Sequence, residues 1–112
     1  MRKDDDLYFG HMLDAARKAY GKLRGITRKE YDADENLRLA VAHLIQVIGE
    51  AAGNVSEKGC LAHPEISWRE IKGMRHRIVH DYTDVNFDVV WVVVTKDLPV
   101  LIALLERIVP ST

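Results

Sequence analysis

The residues of this chain best suited to chemistry lie in one short run, Arg75-His76-Arg77-Ile78-Val79-His80-Asp81-Tyr82. Histidine exchanges protons near neutral pH because its unperturbed pKa of about 6.5 lies close to the working pH. Arginine keeps its charge, and its planar fork donates to two phosphate oxygens at once. Metal-free cleavage of RNA asks for that combination. It needs a base for the ribose 2′-hydroxyl, an acid for the leaving 5′-oxygen and a cation for the pentavalent phosphorane. The charge distribution isolates the same run. Between Ser67 and Tyr82 stand four basic residues, two acidic ones and two histidines. From Leu39 to Ile66 there is one basic residue against three acidic, and after Tyr82 two against four.

Spacing limits what the run can do. Arg75 and His80 are five apart, about 140° around an ideal helix, so mid-helix they would not share a face. They converge if the helix frays or turns near His80, or if two copies of the chain meet there. His76 and His80 stand at i and i+4, a zinc-compatible spacing, but no third ligand is evident and arginines flank His76, so no metal is expected. Plainer readings remain open. A histidine at a helix end interacts favourably with the last carbonyls, and Tyr82 is also compatible with an ordinary half-buried aromatic.

The elements that must position these residues read as helices. Leu7, Met12, Leu13, Ala16, Tyr20 and Leu23 recur at helical spacing, Asp4 to Asp6 place negative charge at the helix's positive end, and Gly25 stops it. Thr27 to Glu30 fits a capping box. Leu37, Val41, Leu44, Ile45 and Ile48, with Ala40, Ala42, Ala51 and Ala52, predict a long buried helix from Asp34 that ends or weakens at Gly53-Asn54. Ser67-Trp68-Arg69-Glu70 predicts a second capping box and a helix running to about His80. The segment Val89 to Thr95 is β-branched enough for a strand. Phe87, Val90, Trp91, Val94, Leu98, Leu101, Ile102, Leu105 and Ile108 nevertheless hold one helical stripe. A helix from about Asn86 to Ile108, bent at Pro99, is therefore expected. Val89, Val92 and Val93 form a second stripe, which marks either an intersubunit surface or a fully buried helix. The fold class is all-α, a bundle of four or five helices.

With 112 residues the chain is expected to form one domain, 1–112. A formal net charge of −1 argues against a strongly basic nucleic-acid coat but leaves room for a local basic site. The single cysteine, Cys60, makes no intramolecular disulfide framework and fits a reducing compartment. The N-terminal residues contain no apolar run typical of a signal peptide, and Val89 to Val94 is too short for a membrane span. A cytoplasmic protein is expected.

The sequence resembles the HEPN superfamily, and within it the HepT-like toxins. The superfamily motif is Arg, a polar residue, a few more residues and His, which Arg75-His76-Arg77-Ile78-Val79-His80 matches without a gap. The HepT-like extension to Arg-x4-His-x-Tyr is completed by Tyr82. Ile48-Gly49-Glu50-Ala51, the run Pro64 to Arg75 and Asp97-Leu98-Pro99 are similar to further family segments, so the resemblance spans nearly the whole chain.

The resemblance implies an all-helical bundle that homodimerises with its active cleft at the subunit interface. It implies a metal-independent endoribonuclease without cofactor, acting on transfer or messenger RNA as the toxin of a type VII toxin–antitoxin pair. The implied antitoxin is a minimal nucleotidyltransferase that silences the toxin by transferring AMP to the motif tyrosine, here Tyr82. By the same carry-over Arg75 stabilises phosphate, His80 transfers the proton and His76 assists. Glu50 either orients the arginine or is a surface carboxylate. The alternative function is a non-catalytic nucleotide-binding or nucleotidyltransferase-partner subunit, for which an intact Arg75, His80 and Tyr82 would not be needed.

Overall fold

Where the chain begins, three consecutive aspartates meet the partial positive charge of a helix N-terminus. The computed structural model describes residues 3–81 and 84–110, and α1 runs Lys3–Leu23 with Asp4, Asp5 and Asp6 in its first turn. Gly25 ends this arm with φ at 77°, a backbone region that costs glycine nothing. Asp5 is more than dipole compensation. It is only 1% exposed, and its carboxylate accepts from the Ser56 amide at 2.8 Å and the Ser56 hydroxyl at 2.6 Å. The buried face of α1 includes Phe9, Met12, Leu13, Ala16 and Leu23. The expected stripe misplaces Leu7 and Tyr20, which are 54% and 37% exposed.

Next comes α2 (Arg28–Ala33), opened by the expected capping box between Thr27 and Glu30. The Thr27 amide and then its hydroxyl hold the Glu30 carboxyl below the usual carboxylate range. Helix α3 (Glu35–Asn54) starts at Asp34, whose side chain accepts from the Leu37 amide, and buries Val41, Ala42, Ile45, Ile48, Ala51 and Ala52. It packs along α1 and against α5, α6 and α7, so it is the central helix. After it, α4 (Glu57–Ala62) is capped by Ser56. The Ser56 hydroxyl thus donates to Asp5 while accepting from the Gly59 amide.

The expected helix from Ser67 to about His80 is corrected by the structure. It is two short helices, α5 (Trp68–Lys72) and α6 (Met74–Ile78), separated at Gly73. Ser67 makes no side-chain capping bond. Helix α6 gives way to β1 (Val79–Asp81), which pairs antiparallel with β2 (Asp84–Val85). Valine at 79 and 85 suits the extended backbone of that pair, and the Asn86 amide closes it on the Ile78 carbonyl at 2.7 Å.

The β-branched segment is helical, as its stripe predicts: α7 (Phe87–Val92), a π-helical segment (Val93–Asp97) and α8 (Leu98–Ile108) follow without a break. The irregularity precedes Pro99 rather than sitting on it. Pro99 lacks the N–H that would bind back into the preceding turn, and the Leu98 amide reaches five residues back to the Val93 carbonyl. The wider turn puts Val93 and Val94 both inside, each 0% exposed. That takes Val93 out of the second stripe: it belongs to this chain's own core, whereas Val89 packs against that core and Val92 is 43% exposed. The architecture is all-α, with three long helical runs, short connecting helices and one small hairpin among the described residues.

Candidate functional site

Arg75 lies on α6, a helix of five residues that could not persist alone in water. Its stability comes from tertiary contacts. Met74 and Ile78, at i and i+4, are 4% and 0% exposed and anchor one face against the core. The central helix reaches this anchor closely. A Cβ on Gly49 would stand 3.2 Å from the Ile71 carbonyl oxygen and 4.0 Å from Met74 Cβ. Glycine at 49 therefore lets α3 approach the α5–α6 junction, with exposed Glu50 next in sequence. The Glu50 carbonyl accepts from the Asn54 side chain, and no ion pair joins its carboxylate to a described residue.

The basic residues of this region differ in what they touch. Arg77 Nη1 lies 3.0 Å from Asp97 Oδ2, linking α6 to the last residue of the π segment. Arg75 is exposed and makes no ion pair among the described residues. His76 is exposed beside it. One guanidinium is thus committed to the scaffold, whereas the other is accessible to a phosphate.

His80 stands on β1, beyond the end of α6. The Val79 amide donates back to the Arg75 carbonyl, and Val79 has left the helical region with φ −109° and ψ 111°. The 140° helical separation of Arg75 and His80 therefore does not apply, nor does the helical i, i+4 geometry of His76 and His80. Tyr82 lies outside the described residues. Among the described residues no group of three or more His, Cys, Asp or Glu side chains is disposed to hold a metal, and no described helix is long and apolar enough to cross a membrane.

The far end of the hairpin is held by aromatic packing. Tyr31 is fully buried, donates from its hydroxyl to the Phe87 carbonyl at 2.6 Å, and meets Trp91 with ring centroids 4.9 Å apart. Burial pushes its phenol up to about 12. Arg28 pairs with Asp32 and Asp88 and lies over the Tyr31 and Trp91 rings, while Arg38 lies over Phe87. Both ends of the β1–β2 excursion are therefore fixed: Ile78 in the core on one side, Phe87 against Tyr31 on the other.

Three features escape the sequence pattern: the break at Gly73, the hairpin, and the Arg77–Asp97 pair. A glycine inside a helical pattern and two aspartates bracketing a two-residue connection are signals for the first two. The third joins residues twenty apart and carries no local signal.

The family model for the ribonuclease HepT-like family matches residues 12–108. A protein of Thermococcus cleftensis named as a probable ribonuclease HepT is 30% identical over 108 residues, covering 96% of this chain and 98% of that protein. One from Caldanaerobacter subterraneus, provisionally named as an RNase, is 30% identical over 94 residues, covering 84% of each chain. No solved structure gives a significant match. A family match across this span, together with the all-helical fold, establishes the relationship: the chain belongs to the ribonuclease HepT-like family of the HEPN superfamily.

Proposed function

We propose that this chain is a metal-independent endoribonuclease, the toxin of a toxin–antitoxin pair, with Arg75 on the phosphate and His80 transferring the proton. One observation carries the reading. The helix that bears Arg75 stops at Ile78, so His80 is freed from the helical face that would have kept the two apart. The ribonuclease names of the relatives support the reaction class. His76 assists at the polar position, and Glu50, exposed on α3 with no ion pair to Arg75, is a surface carboxylate. The functional unit is a homodimer. At a net charge of −1 the general surface holds RNA weakly, whereas two copies facing one another double the local basic patch in one cleft.

The partner is a minimal nucleotidyltransferase that transfers AMP to the Tyr82 hydroxyl. The phosphodiester so formed adds negative charge two residues beyond His80, where it would occupy the cationic groups meant for substrate and block RNA access.

The test is cleavage of transfer and messenger RNA by purified protein in EDTA, with product ends mapped. The expected products carry 2′,3′-cyclic phosphate, and Arg75→Ala and His80→Ala each lower the rate by about a hundredfold or more. Undiminished cleavage by highly purified His80→Ala protein overturns the mechanism. Equal and negligible cleavage by wild type and both variants overturns the enzyme itself.

A further inference from the structure

We infer that the Arg77–Asp97 ion pair is a positioning device for the Arg75–His80 segment, and that Arg77 is not itself a substrate-binding cation. The inference rests on the ribonuclease reading above. On a helix, positions two apart point about 200° from one another. Holding Arg77 toward Asp97 therefore sets the azimuth at which Arg75 faces solvent. Helix α6 has only five residues and two buried anchors, Met74 and Ile78. Two apolar contacts on one stripe leave rocking about that stripe weakly restrained, and an off-stripe tether removes that freedom.

Asp97 is a well-held acceptor. It ends the π segment between buried Val94 and Leu98, each 0% exposed. The Thr95 hydroxyl donates to the Trp91 carbonyl at 2.7 Å within the same turn. Widened π turns cluster at functional sites because they re-aim side chains without ending a helix, and here the turn presents a carboxylate to α6. The pair spans a groove of about 240 Å³ between α5–α6 and α8, whose floor includes Ile71, Met74 and Leu101. Glu65, Glu70 and Lys96 line the same groove, and Arg69 joins Glu70 beside the pair in the adjoining one. Both members of the pair are close to half exposed, so it contributes little to global stability. Its effect is on the geometry of a short helix.

Amide hydrogen exchange and RNA cleavage on the full chain test this together. Arg77→Gln and Asp97→Asn should each speed exchange at residues 75–80 about five- to tenfold and leave α1 and α3 unchanged. Each should lower kcat about tenfold with KM within about twofold, because misplacement of a catalytic group costs rate rather than ground-state binding. Tm should move by at most about 4 °C. The exchanged pair Arg77→Asp/Asp97→Arg should restore both protection and kcat. Unchanged exchange in the single variants overturns the inference whatever the activity. A raised KM that the exchanged pair does not recover overturns it too, because Arg77 would then bind RNA directly. If wild type cleaves no RNA while the single variants do loosen residues 75–80, the ribonuclease reading fails and the tether stands.

Discussion

The Tyr31 hydroxyl donates to the Phe87 carbonyl at 2.6 Å across 56 positions of sequence. The bond ties α2 to the residue at which the chain leaves the hairpin and enters α7. Because Tyr31 is buried and its phenol is pushed up to about 12, the folded state keeps a proton there that the unfolded chain has lost. Stability from this group is complete below pH 10, where both states are protonated, and is lost as pH rises through 10 to 12. Tyr31→Phe should cost about 1 kcal/mol at neutral pH and remove part of the alkaline destabilisation. Urea unfolding of both proteins at pH 7 and pH 11 measures this, and an identical alkaline loss in both would show that another group is responsible.

Asp5 is expected to matter far more than its terminal position suggests. Its carboxylate, 1% exposed, receives two hydrogen bonds from Ser56, and Ser56 in turn caps α4. Asp5→Ala leaves those half-buried donors without their acceptor and should cost about 2 kcal/mol. Asp6, exposed in the same turn, is the control. Asp6→Ala should change the urea midpoint very little.

Gly49 and Gly53 both sit in α3 but should respond oppositely to alanine. Nothing lies within 4 Å of a Cβ added at Gly53, so Gly53→Ala should stabilise by up to about 1 kcal/mol through helix propensity. At Gly49 the same gain is offset by a 3.2 Å contact with the Ile71 carbonyl, a backbone atom that moves only with α5. Gly49→Ala should therefore gain no stability and should lower RNA cleavage about tenfold by displacing the α5–α6 junction. Equal stabilisation by both, with cleavage intact, would show that α5 yields without consequence.

On the proposed function, Tyr82→Phe should separate the reaction from its regulation. It should cleave RNA at the wild-type rate, within about twofold. It should also accept no AMP from the cognate nucleotidyltransferase and stay toxic when the two are expressed together. Intact-protein mass measurement after incubation with ATP and the transferase decides this. An AMP adduct on Tyr82→Phe protein would place the modification elsewhere.

Much of this molecule is legible in the sequence because the signals are local. The stripes of α3 and of the Asn86–Ile108 run, the Thr27–Glu30 capping box and the Gly25 stop each follow from hydrogen bonding and periodicity within a few residues. The Arg75, His80 and Tyr82 spacing is likewise written in the chain and carries the resemblance, while the family itself rests on the match over residues 12–108. What tertiary structure decided lies where local preference is nearly balanced. Arg75 to His80 reads as continuous helix until Gly73, the Met74 and Ile78 anchors and pairing with Asp84-Val85 make a five-residue helix and a strand more favourable. Val93 reads equally as intersubunit surface or as core until a π turn before Pro99 brings it inside. Arg75 and Arg77 are equivalent as letters, two arginines two apart. Only the arrival of Asp97 from twenty residues away commits one to the scaffold and leaves the other exposed. Such distinctions depend on which surfaces meet, and no window of neighbouring residues contains that information.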